Sequence, residues 1–554
     1  MAMAGKLRVI PLGGLGEIGK NMMLFEYGDS SLLLDAGLMF PENDMLGIDY
    51  IIPDFRYVVE HKEMLRGIII THGHEDHTGA IKHVMASLDA PVYATPLTRG
   101  LLEVKLRDAK LLDRVALRTI NAGDRVDIGP FGAEFFHVCH SIPDGVGLGL
   151  TTPAGLLVHS GDFKFDHTPV DGWPTDYAKL AEFSGRGVMA LLSDSTNADK
   201  AGWTPSEAVI DPAFDDVFRE APGRILVATF ASLISRIQQV LNAAFRHGRK
   251  MALVGTSMIE NAKMAQKLGY LNVPDGMIIP IDEALRASPS KVVIMTTGTQ
   301  GEPSSILGRL SEGRNRQFDL IANDTIVLSS HPIPGNEEMV HRTINRLLQR
   351  GARVIYDPIA PVHVSGHASA EEMKLLIHLV KPRNFIPVHG ELRHLTQHAA
   401  IAREVGIPAE NIAVVENGTV LEFENGQLKV GERIPGGYVY VDGSGVGDIG
   451  PSVMREREAL AEDGFVVVNL RVNKAGQLAG KPEIISRGFV FVRDAEEMFA
   501  AAQAQITAAV ARVNSNGSAG SAQALREKVQ QSLADFFYAE LKRRPMIFAL
   551  VNEV

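Results

Sequence analysis

Six consecutive residues, His72-Gly73-His74-Glu75-Asp76-His77, restrict what this 554-residue chain can fold into more than any other stretch. They follow the apolar run Gly67-Ile68-Ile69-Ile70, which reads as a buried strand, and precede a helical pattern expected over 78–87. The fold must therefore bring a strand end and a helix start together around three imidazoles and a carboxylate. In an extended segment residues two apart point the same way, so His72 and His74 can grip one ion. Asp76 and His77 lie where the chain turns into the helix and can face a second. Nitrogen and oxygen donors suit zinc or manganese, and the lack of thiolate argues against a zinc-finger site.

Three further candidates end apparent strands: His140 in VCHS, Asp162 in HSGDF and His389 in IPVHGE. Alone, each is more often an ordinary turn residue than a ligand. Beside the six-residue cluster they complete two coordination spheres. His72, His74 and His140 are expected to hold one divalent ion, Asp76, His77 and His389 the other, and Asp162 to bridge them. Asp35, closing the strand SLLLD, is expected to orient this shell, or else merely terminates its strand. Two dications lower the pKa of a shared water and stabilise in-line displacement at phosphorus, so an anionic phosphodiester is a suitable substrate. The net charge of -11 argues against a protein that coats nucleic acid by bulk electrostatics, so any hold on a polyanion must be local.

Length favours about three or four domains. Up to residue 205 strands and helices alternate irregularly, with strands read at LRVIPL, NMMLFEY, SLLLDAG, AEFFHVCHS, GLGLTTP, AGLLVHSGDF and VMALLSDSTN, and a helix over 97–106. From about Arg224 regular strand-helix units imply a parallel sheet with helices on its faces. After Ser369 come a helix, the strand NFIPVHGE, a second helix and the strands NIAVVENGT and VLEFE, a set able to return to the first domain. The Gly-rich stretch 431–450 reads as a linker, followed by two strands, two helices and a last strand. Gly14-Leu15-Gly16-Glu17-Ile18-Gly19, with Asp35 beyond, mimics a dinucleotide fingerprint, but strand, turn and strand follow it where that fold demands a helix. No run approaches the length of a membrane span, and the single cysteine, Cys139, fits a reducing cytoplasm.

THGHEDHTGA, with Asp35, His140, Asp162 and His389, resembles the metallo-β-lactamase superfamily. The interrupting strand-helix stretch, SDSTN at Asp194, HVSGHAS at His367 and PVHGE at His389 resemble the β-CASP nuclease branch. PLGGLGEIGKN, Phe40 to Glu42, FASLISRIQQ, GTQGEP, SSHPIPGNE and SRGFVFVRD are similar to the ribonuclease J family over essentially the whole chain. That resemblance implies an α/β architecture: an αββα sandwich (1–205 and 366–430) interrupted by a parallel-sheet β-CASP domain (206–365), then a linker (431–455) and a small C-terminal α/β domain (456–554). It implies the metal ligands named above, two divalent ions, zinc or manganese, and catalytic roles for Asp35, Asp194 and His367. An Asp-His pair keeps the ring charged and oriented, ready to stabilise the pentacoordinate phosphate or protonate a leaving O3′.

The implied activity is hydrolysis of single-stranded RNA, 5′-to-3′ from 5′-monophosphate ends and also internally, in RNA maturation and decay. Backbone N–H groups of Ser365, Gly366, His367, Ala368 and Ser369, at a helix start, are expected to cradle a phosphate, with Ser232 and Arg236 nearby. Arg236 reads equally well as a solvated helix face. Phe40, Phe230 and Tyr50 are candidates for stacking on bases, although such residues are usually core. The resemblance further implies a homodimer or homotetramer and partners in RNA degradation. The rival readings are a DNA-directed β-CASP nuclease, a small-molecule metallo-hydrolase and a non-enzymatic scaffold.

Overall fold

A computed structural model describes residues 5–42, 44–333, 336–490, 496–515 and 522–554. Parts of two stretches used above, SSHPIPGNE and SRGFVFVRD, lie outside these residues. The chain forms two compact units: residues 1–42 with 50–439, and residues 43–49 with 440–554.

The first unit is built on two stacked sheets. One has eight strands in the order Gln427–Arg433, Thr419–Glu424, Leu7–Gly13, Met22–Tyr27, Ser30–Leu34, Leu65–Ile69, Val92–Ala94 and Leu117–Thr119. The other has six, ordered Asn384–Val388, Val188–Asp194, Gly155–His159, Val146–Thr152, Phe131–His137 and Arg125–Ile128. Alternation sends Leu7, Val9, Phe25 and Leu34 from the first sheet against Phe131, Phe135, Leu148 and Leu192 from the second. The intervening residues Ile10, Leu12, Leu24 and Ile68 face helices on the outside, and the second sheet's outer face packs on helices Tyr177–Arg186 and Ala370–Val380. Because strands of both sheets are covered on both faces, they read as continuous apolar runs. This is the αββα sandwich expected from the sequence.

A five-stranded parallel sheet, ordered Lys250–Leu253, Val292–Thr296, Ile225–Ala228, Thr325–Leu328 and Arg353–Ile355, forms the inserted domain, with apolar clusters on both faces. The second unit has a three-stranded sheet ordered Glu483–Arg487, Phe465–Val472 and Met546–Glu553. Helices Glu496–Ser515 and Ala522–Leu541 share a core with it.

Several local expectations shift. The helix expected over 78–87 is two short helices, Glu75–Thr78 and Ile81–Ser87, because Gly79 turns tightly beneath Leu38 and the amide of Ala80 is taken by Ala36 O at 2.8 Å. The strand expected at NIAVVENGT is replaced by a 3-10 turn, Ala409–Asn411, and a single bridge from Ile412 to Phe385. Within 431–455, read as a linker, lie the strand Tyr438–Asp442 and the start of helix Pro451–Asp463. No helix among the described residues is long and apolar enough to cross a membrane.

The β-CASP insertion is tied to the sandwich by buried charge. Arg236 is fully buried and donates to Glu207 Oε2 at 2.7 Å, Gln239 Oε1 at 2.9 Å, Val362 O at 2.8 Å and the Ser329 hydroxyl. Lys164, also buried, stands 3.7 Å from the other oxygen of Glu207. Removing one partner from such a pair leaves an uncompensated charge out of water, at a cost of about 3–5 kcal/mol. Glu207→Gln should therefore lower stability to urea by about 3 kcal/mol; an unchanged midpoint would show that the buried arginine is compensated elsewhere.

Candidate metal and phosphodiester site

The site forms where strand ends of the two sheets meet. The strand Leu65–Ile69 delivers the six-residue cluster, Phe131–His137 leads to His140, Gly155–His159 to Asp162, Val188–Asp194 ends in Asp194, and Asn384–Val388 ends one residue before His389. Asp35, directly after Ser30–Leu34, and His389 both adopt positive φ, at 62° and 52°. For residues with a Cβ this conformation is uncommon and costs of the order of 1 kcal/mol or more, strain that clusters at functional sites. The loop 35–38 runs hard against the cluster: Ala36 N bonds His77 O at 2.8 Å and Leu38 N bonds Glu75 O at 3.0 Å. Gly37 is required there, since a Cβ would stand 1.6 Å from the carbonyl oxygen of Asp76.

The structure brings all seven expected metal-binding residues together. His72 Nε2 and His140 Nε2 each stand 3.1 Å from His74 Nδ1. On the other side His77 Nε2 is 3.6 Å and His389 Nε2 is 3.3 Å from Asp76 Oδ2. Asp162 lies between the groups: Oδ2 is 3.1 Å from His77, 3.6 Å from His72 and 3.8 Å from His140, while Oδ1 is 3.2 Å from His389 Nδ1. The ligand atoms of His72, His74 and His140 converge within 4.8 Å of one another, as do those of Asp76, His77, Asp162 and His389.

A divalent cation fits these donors. Neighbouring groups fix the remaining ring nitrogens: His77 Nδ1 pairs with Asp35 Oδ2 at 2.8 Å, and His140 Nδ1 donates to Gly366 O at 2.8 Å. For His140 this leaves Nε2 with a lone pair towards the cluster; burial opposes a charge on His77, but Asp162, Asp35 and Asp76 outweigh it and hold its pKa well above the ordinary imidazole value, so a cation bound there displaces the Nε2 proton. Burial, reinforced by neighbouring imidazoles, holds His72 and His140 well below the ordinary imidazole pKa; burial likewise takes His74 down to about 4. All three lone pairs are thus available at neutral pH. His389 Nε2 is buried and, although 3.3 Å from Asp76 Oδ2, makes no well-aligned hydrogen bond among the described residues. Burial disfavours the Asp162 carboxylate, but His389 and His77 outweigh it and hold its pKa well below the usual range.

Beside this cluster His367 Nδ1 meets Asp194 Oδ2 at 2.7 Å. Burial opposes a charge on His367, yet the adjacent carboxylate wins and raises its pKa. Asp194 is buried, and Thr196 secures it through its amide at 3.0 Å and its hydroxyl at 2.7 Å.

Two expectations fail. Arg236 is neither a phosphate ligand nor a solvated face, because its guanidinium is buried and committed to Glu207, Gln239, Ser329 and Val362. The expected cradle fails in part, since only part of the backbone of 365–369 is open: His367 N is held by Ser365 Oγ at 3.2 Å, Ala368 N by Phe163 O at 2.6 Å and Ser369 N by Glu372 Oε2 at 2.8 Å, which leaves the amides of Ser365 and Gly366 for a phosphate. The next amides, of Ala370 and Glu371, go to Lys200 O and Gly202 O. Gly366 instead backs His140, whose Nδ1 a Cβ would approach to 2.7 Å. Ser232 is half-buried, Phe40 is exposed, Phe230 is half-buried, and Tyr50 is half-buried with its hydroxyl 3.0 Å from His83 Nε2.

Sequence reasoning missed the residues that hold the ligands in place. Thr71 accompanies Asp35 through its amide at 2.8 Å and its hydroxyl. Asn21 Nδ2 donates to Asp76 O at 3.1 Å, and Asn197 Nδ2 donates to Ser365 Oγ at 2.8 Å and to His367 O at 3.1 Å. Each sits inside or beside a motif already singled out, a signal that was there to use.

Comparison with known proteins agrees with this geometry. Residues 15–204 match the metallo-beta-lactamase superfamily, 222–347 the ribonuclease J beta-CASP domain, 351–412 the Zn-dependent metallo-hydrolase RNA specificity domain, and 452–554 the ribonuclease J C-terminal domain. The chain is 42% identical to ribonuclease J of Synechocystis sp., over 99% of this chain and 86% of that protein. It is 40% identical to ribonuclease J2 of Bacillus subtilis over 99% of both, and 43% identical to ribonuclease J of Thermus thermophilus over 87% of this chain and 85% of that one. A solved protein of unknown function from Enterococcus faecalis, 16% identical, shares the fold with a TM-score of 0.54 over 75% of this chain and 99% of its own. With family-model matches in all its parts and full-length relatives at this identity, the chain belongs to the ribonuclease J family.

Proposed function

We propose that this protein is a metal-dependent ribonuclease that hydrolyses single-stranded RNA at a centre holding two divalent ions, zinc or manganese. The observation that carries the reading is Asp162, one buried carboxylate shared by four imidazoles that belong to two convergent donor groups. His72, His74 and His140 would hold one ion, Asp76, His77 and His389 the other, with Asp162 between them. Such ions supply a water acidified towards neutral pH and positive charge for the phosphate oxygens.

The chain's own residues divide the remaining work. Asp35 orients His77 by accepting its Nδ1 proton. His367, kept charged through Nδ1 by Asp194, carries its second proton on Nε2, from which it neutralises the phosphorane or protonates the departing O3′. Attack from a 5′-monophosphate end, alongside internal cleavage in RNA maturation and decay, is supported by family membership. The hydroxyls of Ser232 and Ser365 and the amides of Ser365 and Gly366 are the polar groups of the expected terminal phosphate pocket left to serve it. A cytoplasmic setting is supported by Cys139, a free, buried thiol.

The domain division proposed is 1–205 with 366–430, 206–365, and 456–554 after a connecting stretch. Assembly into a homodimer or homotetramer is supported by the small sheet of the second unit. Register places Ile485, Val467 and Phe548 side by side across its three strands, and Ile485, Phe548 and the nearby Leu550 are exposed. An apolar row of this kind on a sheet face marks an interaction surface. RNA-degradation partners fit the same reading.

Incubation with 5′-monophosphorylated RNA, 5′-triphosphorylated RNA and matched DNA in manganese or zinc tests the reading. Mononucleotides should appear fastest from the monophosphorylated RNA, and Asp76→Ala should lose both the activity and bound metal. Equal digestion of DNA would favour a general nuclease, and no cleavage in either metal a scaffold or a small-molecule hydrolase. His367→Ala should reduce kcat about a hundredfold or more with little change in RNA affinity, as loss of a general acid requires; equal losses in both would contradict its role. Phe548→Glu should shift the sedimenting species to a smaller assembly, and an unchanged mass would place the subunit contact elsewhere.

A further inference from the structure

Trp173 and Trp203 are the chain's two tryptophans, and both remain well exposed, at 41% and 47%. Indoles are large apolar groups that folding ordinarily covers, so two exposed ones in loops beside the catalytic strands call for a use. The Trp173 ring lies flat on the imidazole of His137, with centroids 3.8 Å apart and planes 5° from parallel. His137 is buried, and its Nδ1 donates to Pro174 O at 2.9 Å, which fixes the supporting ring. One face of the indole is thus backed by a rigid wall while the ring keeps much of its surface in solvent.

The loop that carries Trp173 is held in register with the reaction centre. Gly172 N bonds Pro169 O at 3.0 Å and Trp173 N bonds Asp171 Oδ1 at 3.0 Å, which closes the turn. Three further bonds anchor it to the residues just before His140: Cys139 Sγ to Trp173 O at 3.4 Å, Cys139 N to Thr175 Oγ1 at 3.0 Å, and Asp176 N to His137 O at 3.0 Å. His137, under the indole, ends the strand Phe131–His137 that leads to His140 three residues on.

We propose that Trp173, stacked on His137, is a binding platform for a nucleobase of single-stranded RNA next to the scissile phosphate. This rests on the ribonuclease reading above. Every base offers a π-face, so a stacking platform grips the strand without reading its sequence, and it gives an acidic protein a hold on RNA that does not depend on bulk charge. A ring already fixed in place loses little freedom when a base docks. Bases paired within a duplex are already stacked and cannot lie on the indole, so the platform also selects single strands.

Steady-state cleavage of RNA oligonucleotides that are intact, or that carry one abasic nucleotide moved stepwise past the cut, tests this with wild type, Trp173→Ala and Trp173→Phe. Trp173→Ala should raise KM on intact RNA about tenfold, the order expected for one lost base stack. Trp173→Phe should restore most of that loss. An abasic nucleotide at one particular position should raise the wild-type KM by a similar factor and leave Trp173→Ala unaffected. A purely structural role would penalise intact and abasic RNA alike, and that result, or a wild-type KM in Trp173→Ala, overturns the platform while leaving the ribonuclease reading in place. Unchanged thermal unfolding and metal content in the variants exclude misfolding as the cause. If the wild type cuts no RNA, the ribonuclease reading fails first and the platform falls with it.

Discussion

The architecture of this protein depends on keeping one carboxylate, Asp162, ionised out of water. A buried carboxylate is costly unless charge or hydrogen bonds compensate it. Here four imidazoles stand within 3.8 Å of its two oxygens. Those four rings come from the ends of three different strands in both sheets, so no single hairpin or helix could assemble them. The stacked sheets are the device that brings the strand ends to one place, and the core between them fixes the spacing.

The same problem recurs away from the site, and its solution binds the inserted domain. Arg236, Glu207 and Lys164 are buried charges contributed by the helix after the first β-CASP strand, the entry to the insertion and the loop after Asp162. Each would be expensive alone. With Asp166, 3.6 Å from Lys164, they balance, and correct seating of the insertion becomes a condition for neutralising them, which gives orientation between the parts more than net stability. Lys164 lies two residues from Asp162, so the network that seats the insertion also braces the loop leaving the metal site.

What could be read in the sequence depended on whether a group's partners were contiguous. His72 to His77 announce themselves because strand and helix geometry alone dictates how neighbours in a six-residue run point. The strand-helix units after Arg224 likewise gave the parallel sheet, since burial on both faces leaves continuous apolar runs, whereas the sandwich was implied by the family resemblance of the motifs. Arg236 was misjudged because a charged residue near a helix start suggests solvent. The periodicity held the opposite message: Arg236 stands four and seven residues before Val240 and Ala243, on the buried face of its own helix. Its partner Glu207 lies 29 residues away in the chain, beyond the reach of any local pattern. NIAVVENGT failed as a strand for the related reason that an apolar stretch packed at a sheet margin looks the same whether or not its backbone pairs.

The committed amides of 367–371 restrict how phosphate recognition works. A helix start with open N–H groups would attract any anion, free phosphate included. Here Ser369, Glu372 and carbonyl oxygens from neighbouring loops occupy those donors, and Glu372 alone accepts from Phe165 N, Thr204 N and Ser369 N. The loop is thereby rigid, and its rigidity is spent on position: Gly366 O holds His140, while the carbonyl of His367 is held by Asn197 and Thr204. On the proposed reading, most of the affinity for the scissile phosphate would come from charge that exists only when the centre is assembled, namely bound cations and the His367 imidazolium. A site organised in this way has little attraction for stray anions and gathers its positive charge where the phosphodiester reacts.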